Sequence, residues 1–108
     1  MEQAINMSIE LSATFGPQLS QQSIARVKAH ILACTRFVLG RESGADFGLI
    51  EAAGDSTGSG AELITVSITA SRAYVAFHAC NRSDREEFID IINGSFTREG
   101  IRAELGEL

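Results

Sequence analysis

The sequence predicts an α+β fold: a two-layer sandwich, β-α-β-β-β-α-β, with two helices on one face of a mostly antiparallel five-stranded sheet. Three observations predict it. Residues 6–15 alternate apolar and polar with the period of two of a half-buried strand. Two later segments carry apolar residues at helical spacing: Ile24, Val27, Ile31, Cys34 and Val38, then Phe88, Ile89, Ile92 and Phe96. Between them the period returns to two, as expected of a strand meander.

The chain of 108 residues fits one domain, residues 1–108, against ~150 residues for a typical domain. Folding a chain of this size should bury roughly 65% of its unfolded surface, an adequate core without staples. With 44% hydrophobic residues and a mean hydropathy of +0.07, the composition excludes disorder. The long uncharged stretch, residues 11–25, is rich in Ser and Gln, so no membrane span is expected. No basic-then-apolar leader follows Glu2, so the expected location is cytoplasmic.

Taken in order, the first strand points Met7, Ile9, Leu11, Ala13 and Phe15 one way and Ser8, Glu10, Ser12 and Thr14 the other, and Gly16-Pro17 ends it. Ser20 suits an N-cap, and the helix that follows is expected to run about 20 residues to Gly40. Its back carries Ala29, Ala33 and Gly40, small residues that suggest cover on more than one side. Residues 45–53 read as a strand, 54–60 (GDSTGSG) as a turn, and 62–70 and 73–80 as two strands joined at Ser71-Arg72. Ser83-Asp84-Arg85-Glu86 has the form of a capping box for a second helix, which reaches about Arg98 with Gly100 as C′ and Gly94 as a weak interior point. Ile101, Ala103 and Leu105 alternate as a last short strand. Right-handed crossovers put both helices on one face. The layout resembles ferredoxin-like sheets with one extra strand. That is likeness of layout, and no motif names a family.

Net charge is −5, which argues against nucleic-acid backbone binding. Leu11 to Arg41 holds no acid, whereas Asp84 to Leu108 holds seven acids and three arginines. Two readings fit: oppositely charged helices side by side, or faces that meet in an oligomer. Arg outnumbers Lys eight to one, which favours planar carboxylate or phosphate partners but also follows from a GC-rich coding sequence. Cys34 and Cys80 belong to no metal-ligand or redox spacing, so no metal and no cofactor is implied. Free buried thiols are expected, with a disulfide between them open.

No catalytic constellation stands out. The glycines of 54–60 lack the GK[ST] and following helix of a phosphate loop. Tyr74, His78 and Cys80 should share one strand face, but i and i+2 neighbours lie ~7 Å apart, too far for direct proton transfer, and only Glu10 offers a second base. His30 flanks the apolar seam of the first helix, with only Arg26 and small residues near it and no ready acceptor. Glu86, Glu87 and Asp90 complement a helix N-terminus.

The strongest signal is a surface. The sheet face away from the helices should carry Ser67, Thr69, Tyr74, His78 and Cys80 with Ser8, Ser12, Thr14 and Thr65: polar, β-branched and nearly uncharged. A plain solvated face, a homodimer face, and a ligand or partner face are the three readings. The expected function is a small non-enzymatic interaction or regulatory protein acting as a homodimer, of inhibitor or immunity type. The alternative is a small-molecule-binding module or small enzyme with its site around Tyr74 and His78. A deep cavity beside His78 would favour the alternative.

Overall fold

The computed structural model describes residues 8–16, 18–51 and 61–107. Its elements, in chain order, are β1 (Ile9–Thr14), α1 (Gln21–Cys34), β2 (Val38–Ser43), β3 (Asp46–Ile50), β4 (Ile64–Ile68), β5 (Arg72–Phe77), α2 (Arg82–Thr97) and β6 (Gly106–Glu107). The strands form one sheet in the order β2-β3-β4-β5-β1-β6, with every neighbouring pair antiparallel. The α+β architecture matches the expectation. The expected five strands are corrected to six. Four consecutive strands, β2 to β5, form a meander between the helices.

The additional strand comes from the segment read as the end of the first helix. Helix α1 stops at Cys34, and its C-cap Thr35 is extended, with φ −80° and ψ 152°. The Thr35 hydroxyl accepts the amide of Phe37 at 3.2 Å, a local bond that competes with helix continuation. Phe37 then enters the core, 5% exposed. Val38, which fits the helical spacing, lies on β2 instead and is 42% exposed. Gly40 sits where the β2–β3 register shifts, a bulge, and is not a helix cap.

Smaller corrections follow the same local logic. The N-cap of α2 is Asn81, whose side chain accepts the Asp84 amide at 2.8 Å, so Ser83 lies inside the first turn. The helix passes through Gly94 unbroken. Gly100, at φ +77°, is the expected left-handed residue after the helix, and the Ile101 amide reaches back to Phe96 O at 3.0 Å. Ile101 and Ala103 alternate into the core as read, yet they form no ladder. Only Gly106 and Glu107 pair, with Ser12 and Leu11. The β4–β5 turn closes with the Thr69 amide on Arg72 O, and Arg72 already belongs to β5. The 54–60 turn, residues 6 and 7 of the first strand, and Pro17 lie outside the described residues.

One core joins the two layers. Ile24, Val27 and Ile31 of α1 and Phe88, Ile92 and Phe96 of α2 belong to the same buried cluster as Leu11, Val66, Val75 and Phe77 of the sheet. Both helices therefore cover one sheet face. Phe77 meets Phe88 edge-on at 6.0 Å, and Phe15 lies 5.2 Å from Phe96. Full burial of each such ring contributes roughly 1.5–3 kcal/mol. Two ion pairs join the basic and acidic stretches within the chain: Arg26 binds Glu99 at 2.8 Å and Arg36 binds Asp84 at 2.8 Å. These pairs join the start of each helix to the end of the other, so the helices run antiparallel.

Candidate functional site

The sheet face away from the helices is built by alternation. Where Leu11, Val66 and Val75 point into the core, their strand neighbours Ser12, Thr65, Ser67 and Tyr74 point out, and these four are half-buried. The register places Ser67 opposite Tyr74 and Tyr74 opposite Ser12. Ala76, at the centre of this face, is only 2% exposed. The expected hydroxyl-rich surface is present.

At one end His78 is held by two hydroxyls. Its Nδ1 lies 3.0 Å from Ser8 Oγ and its Nε2 lies 2.8 Å from Thr65 Oγ1. The Thr65 hydroxyl donates its proton to the Glu62 carboxylate. Its oxygen can therefore only accept from His78, which places the ring proton on Nε2 and leaves Nδ1 to accept from Ser8. Glu62 is gripped in turn by Arg41, Nε at 2.9 Å and Nη2 at 3.1 Å, and Arg41 Nη1 reaches Asp46 at 3.0 Å. The result is one connected chain, Ser8–His78–Thr65–Glu62–Arg41–Asp46, in which Thr65 and Arg41 both donate to Glu62. The Arg41 guanidinium, followed by the Thr65 hydroxyl, holds the Glu62 carboxyl below its ordinary range, while partial burial opposes them. The same carboxylates push the Arg41 guanidinium up. The Glu62 carboxylate lies over Gly48, where a Cβ would collide with it.

The other end is separate. Tyr74 lies four residues from His78 on β5, ~13 Å along the strand, so the two do not act as one pair. Burial pushes the Tyr74 phenol up, and the hydrogen-bonded Glu10 carboxylate adds to the shift. Glu10, the expected second base, is thus engaged by Tyr74. A shallow depression of about 250 Å³ is lined by Ser67, Thr69, Arg72 and Tyr74. Among the described residues no acidic side chain pairs with Arg72.

Cys80 does not belong to this face. Strand β5 ends at Phe77, and Cys80 packs against the core with its thiol 3.7 Å from Leu63 O. Cys34, expected to be buried, is exposed, and both thiols are free. His30 is half-buried as expected but does have a partner: Ser95 Oγ of α2, 2.6 Å from Nδ1.

Sequence reasoning placed Ser8, Thr65, Ser67, Thr69, Tyr74 and His78 on the face and missed Arg41, Asp46 and Glu62. The β2–β3 hairpin that carries the first two is hidden when residues 38–40, the start of β2, are read as the end of the helix. Among the described residues no helix is long and apolar enough to cross a membrane, and no three His, Cys, Asp or Glu side chains cluster to hold a metal ion. Compared with protein-family models, curated proteins and solved structures, the chain matches none.

Proposed function

We propose that the protein is a small non-enzymatic interaction or regulatory protein, of inhibitor or immunity type, that works as a homodimer through the outer face of its sheet. The observation that carries this reading is the state of that face. Its centre is closely packed, with Ala76 buried and the Glu10 carboxylate opposite it engaged by Tyr74, and the side chains at its His78 end are already hydrogen-bonded to one another. Both nitrogens of His78 are held by hydroxyls of the chain. Pre-ordered polar side chains of this kind lower the entropy lost on docking a partner, and Tyr is enriched at such contacts. A two-fold pairing of this face with itself needs no second gene product. Light scattering at micromolar concentration should give about twice the 11.6 kDa chain mass. A monomer at that concentration overturns the homodimer.

A second reading has its own observation. Arg72, unpaired by any acid among the described residues, opens onto the Ser67–Thr69–Tyr74 depression, an arrangement suited to a small carboxylate or phosphate. Titration calorimetry with inorganic phosphate and with citrate, repeated on Arg72→Gln, separates this reading from the first. Heat that vanishes in the variant supports it, and no heat in either protein removes it.

A further inference from the structure

Away from the sheet face, a second polar cluster lies in the seam between the two helices. His30 and Cys34 stand one turn apart on α1, and Cys34 Sγ lies 3.5 Å from His30 Nε2. The other ring nitrogen, Nδ1, is 2.6 Å from Ser95 Oγ of α2. Ser95 is 1% exposed, and its hydroxyl donates to Ile91 O at 2.8 Å. A serine has one proton to give, and here the backbone carbonyl takes it. Ser95 Oγ must therefore accept from His30, which fixes the ring proton on Nδ1. The neutral ring then presents its Nε2 lone pair to the Cys34 S–H. A thiol exposed to solvent, a base in contact with it, and a buried group that sets the tautomer of the base are the three parts of an activated nucleophile.

We propose that Cys34 is a thiol-modification site that reacts with low-molecular-weight disulfides, with His30 as its general base and Ser95 as the residue that positions the base. The position of Cys34 shows why a base is needed. It is the last residue of α1, where the helix dipole opposes a thiolate and favours a cation. The sulfur therefore gains nothing from the helix, whereas an imidazolium formed beside it does. As Sγ attacks one sulfur of R–S–S–R, its proton passes to His30 Nε2. The Cys34–S–S–R bond forms, the R–S–S–R bond breaks, and the leaving thiolate departs with the bonding electron pair and takes the proton from the imidazolium. The protein thiol is oxidised, the disulfide is reduced, and the products are a mixed disulfide and one R–SH. Cys80 has none of these parts: it is half-buried, and burial pushes its thiol up.

The test uses the full chain and 2-hydroxyethyl disulfide, a neutral probe that charge does not steer, with peptide mapping of each cysteine over time. Native Cys34 should react about tenfold faster than Cys80 and than Cys34 in the urea-unfolded chain. His30→Gln should lower the Cys34 rate about tenfold, and added imidazole should restore much of it, which a purely structural loss would not allow. Ser95→Ala should lower the rate and release the tautomer, read by ¹⁵N NMR of the ring, while Ser95→Thr should keep both. Should the variants not fold, the native-chain comparison and the wild-type tautomer still decide. A native Cys34 rate no greater than that of the unfolded chain, a His30→Gln rate equal to wild type, or a proton found on Nε2 of His30 overturns the proposal.

Discussion

Thr65 determines the tautomer of His78: its oxygen, 2.8 Å from Nε2, has already given its proton to Glu62 and can only accept. The ring proton of the neutral histidine therefore belongs on Nε2, and ¹⁵N NMR at mildly alkaline pH should find it there. Thr65→Val removes the acceptor, and the two tautomers should then approach the mixture seen in a free imidazole. An Nδ1 tautomer in the wild type would mean that the Thr65 hydroxyl points elsewhere.

The same chain of contacts makes Gly48 a structural requirement. A Cβ built there runs into the Glu62 carboxylate, so Gly48→Ala should swing Glu62 away from Arg41 and Thr65. A partly exposed ion pair contributes about 0–1 kcal/mol, so the melting temperature should fall by only a few degrees. The sharper signal is at a distance: the His78 tautomer should loosen as it does in Thr65→Val. A firm tautomer in Gly48→Ala would show that Thr65 keeps its orientation without Glu62.

What was legible in the sequence divides along a physical line. Strand alternation distinguishes the core and outer faces because a buried sheet face tolerates no exceptions: Val66 and Phe77, on the apolar phase of their strands, are 1% and 2% exposed. Periodicity carries the first helix too far because Val38 continues its period by coincidence, while the bond from Phe37 N to Thr35 Oγ1 that stops it leaves no periodic trace. The second helix was capped two residues late because Ser83 and Asn81 are equally good caps on paper, and backbone geometry chose Asn81. Of the site, each hydroxyl was visible, but the partners were not. The link from His78 to Ser8 spans 70 positions and that from Arg41 to Glu62 spans 21, so both depend on strand order.

The carboxylates give the fold a defined acid limit. Glu62 and Glu99 both titrate below their ordinary value of 4.5, held down chiefly by hydrogen bonds from Arg41 and Arg26. A folded-state value below the unfolded one adds stability above about 4.5, which is lost as the pH falls through the depressed values. Urea midpoints should therefore drop as the pH falls below about 4.5. Glu62→Gln should flatten part of the drop, leaving the Glu99 share. An unchanged acid slope in this variant would mean that Glu62 is as free in the folded chain as in the unfolded one.

Phe77 tests the inward face directly. It is 2% exposed and packs edge-on against Phe88, the ring by which α2 grips the sheet. Phe77→Ala should cost about 3–5 kcal/mol, close to the whole stability of a marginal domain. Denaturant titration would read this as a midpoint shift with little change in slope. A shift worth less than about 1 kcal/mol would place the ring outside the core.

Tyr74 tests the outer face. It stands mid-strand on β5 between Ser12 of β1 and Ser67 of β4, half-buried, with its phenol committed to Glu10. It makes no contribution to the inner core, so a substitution there disturbs the surface more than the fold. If two copies pair through this face, a two-fold axis brings the central residues of each close to those of the other, and a charge placed there meets its own image. Tyr74→Arg should then turn the homodimer into a monomer, because like charges at a buried contact cost several kcal/mol. The melting temperature at low protein concentration should change little. His78→Ala, at the end of the face, should weaken association less than Tyr74→Arg does. Analytical ultracentrifugation of the three proteins decides the point: a Tyr74→Arg chain that associates as tightly as the wild type would place any dimer contact elsewhere, with the exposed Val38 and Leu39 of edge strand β2 the next surface to examine.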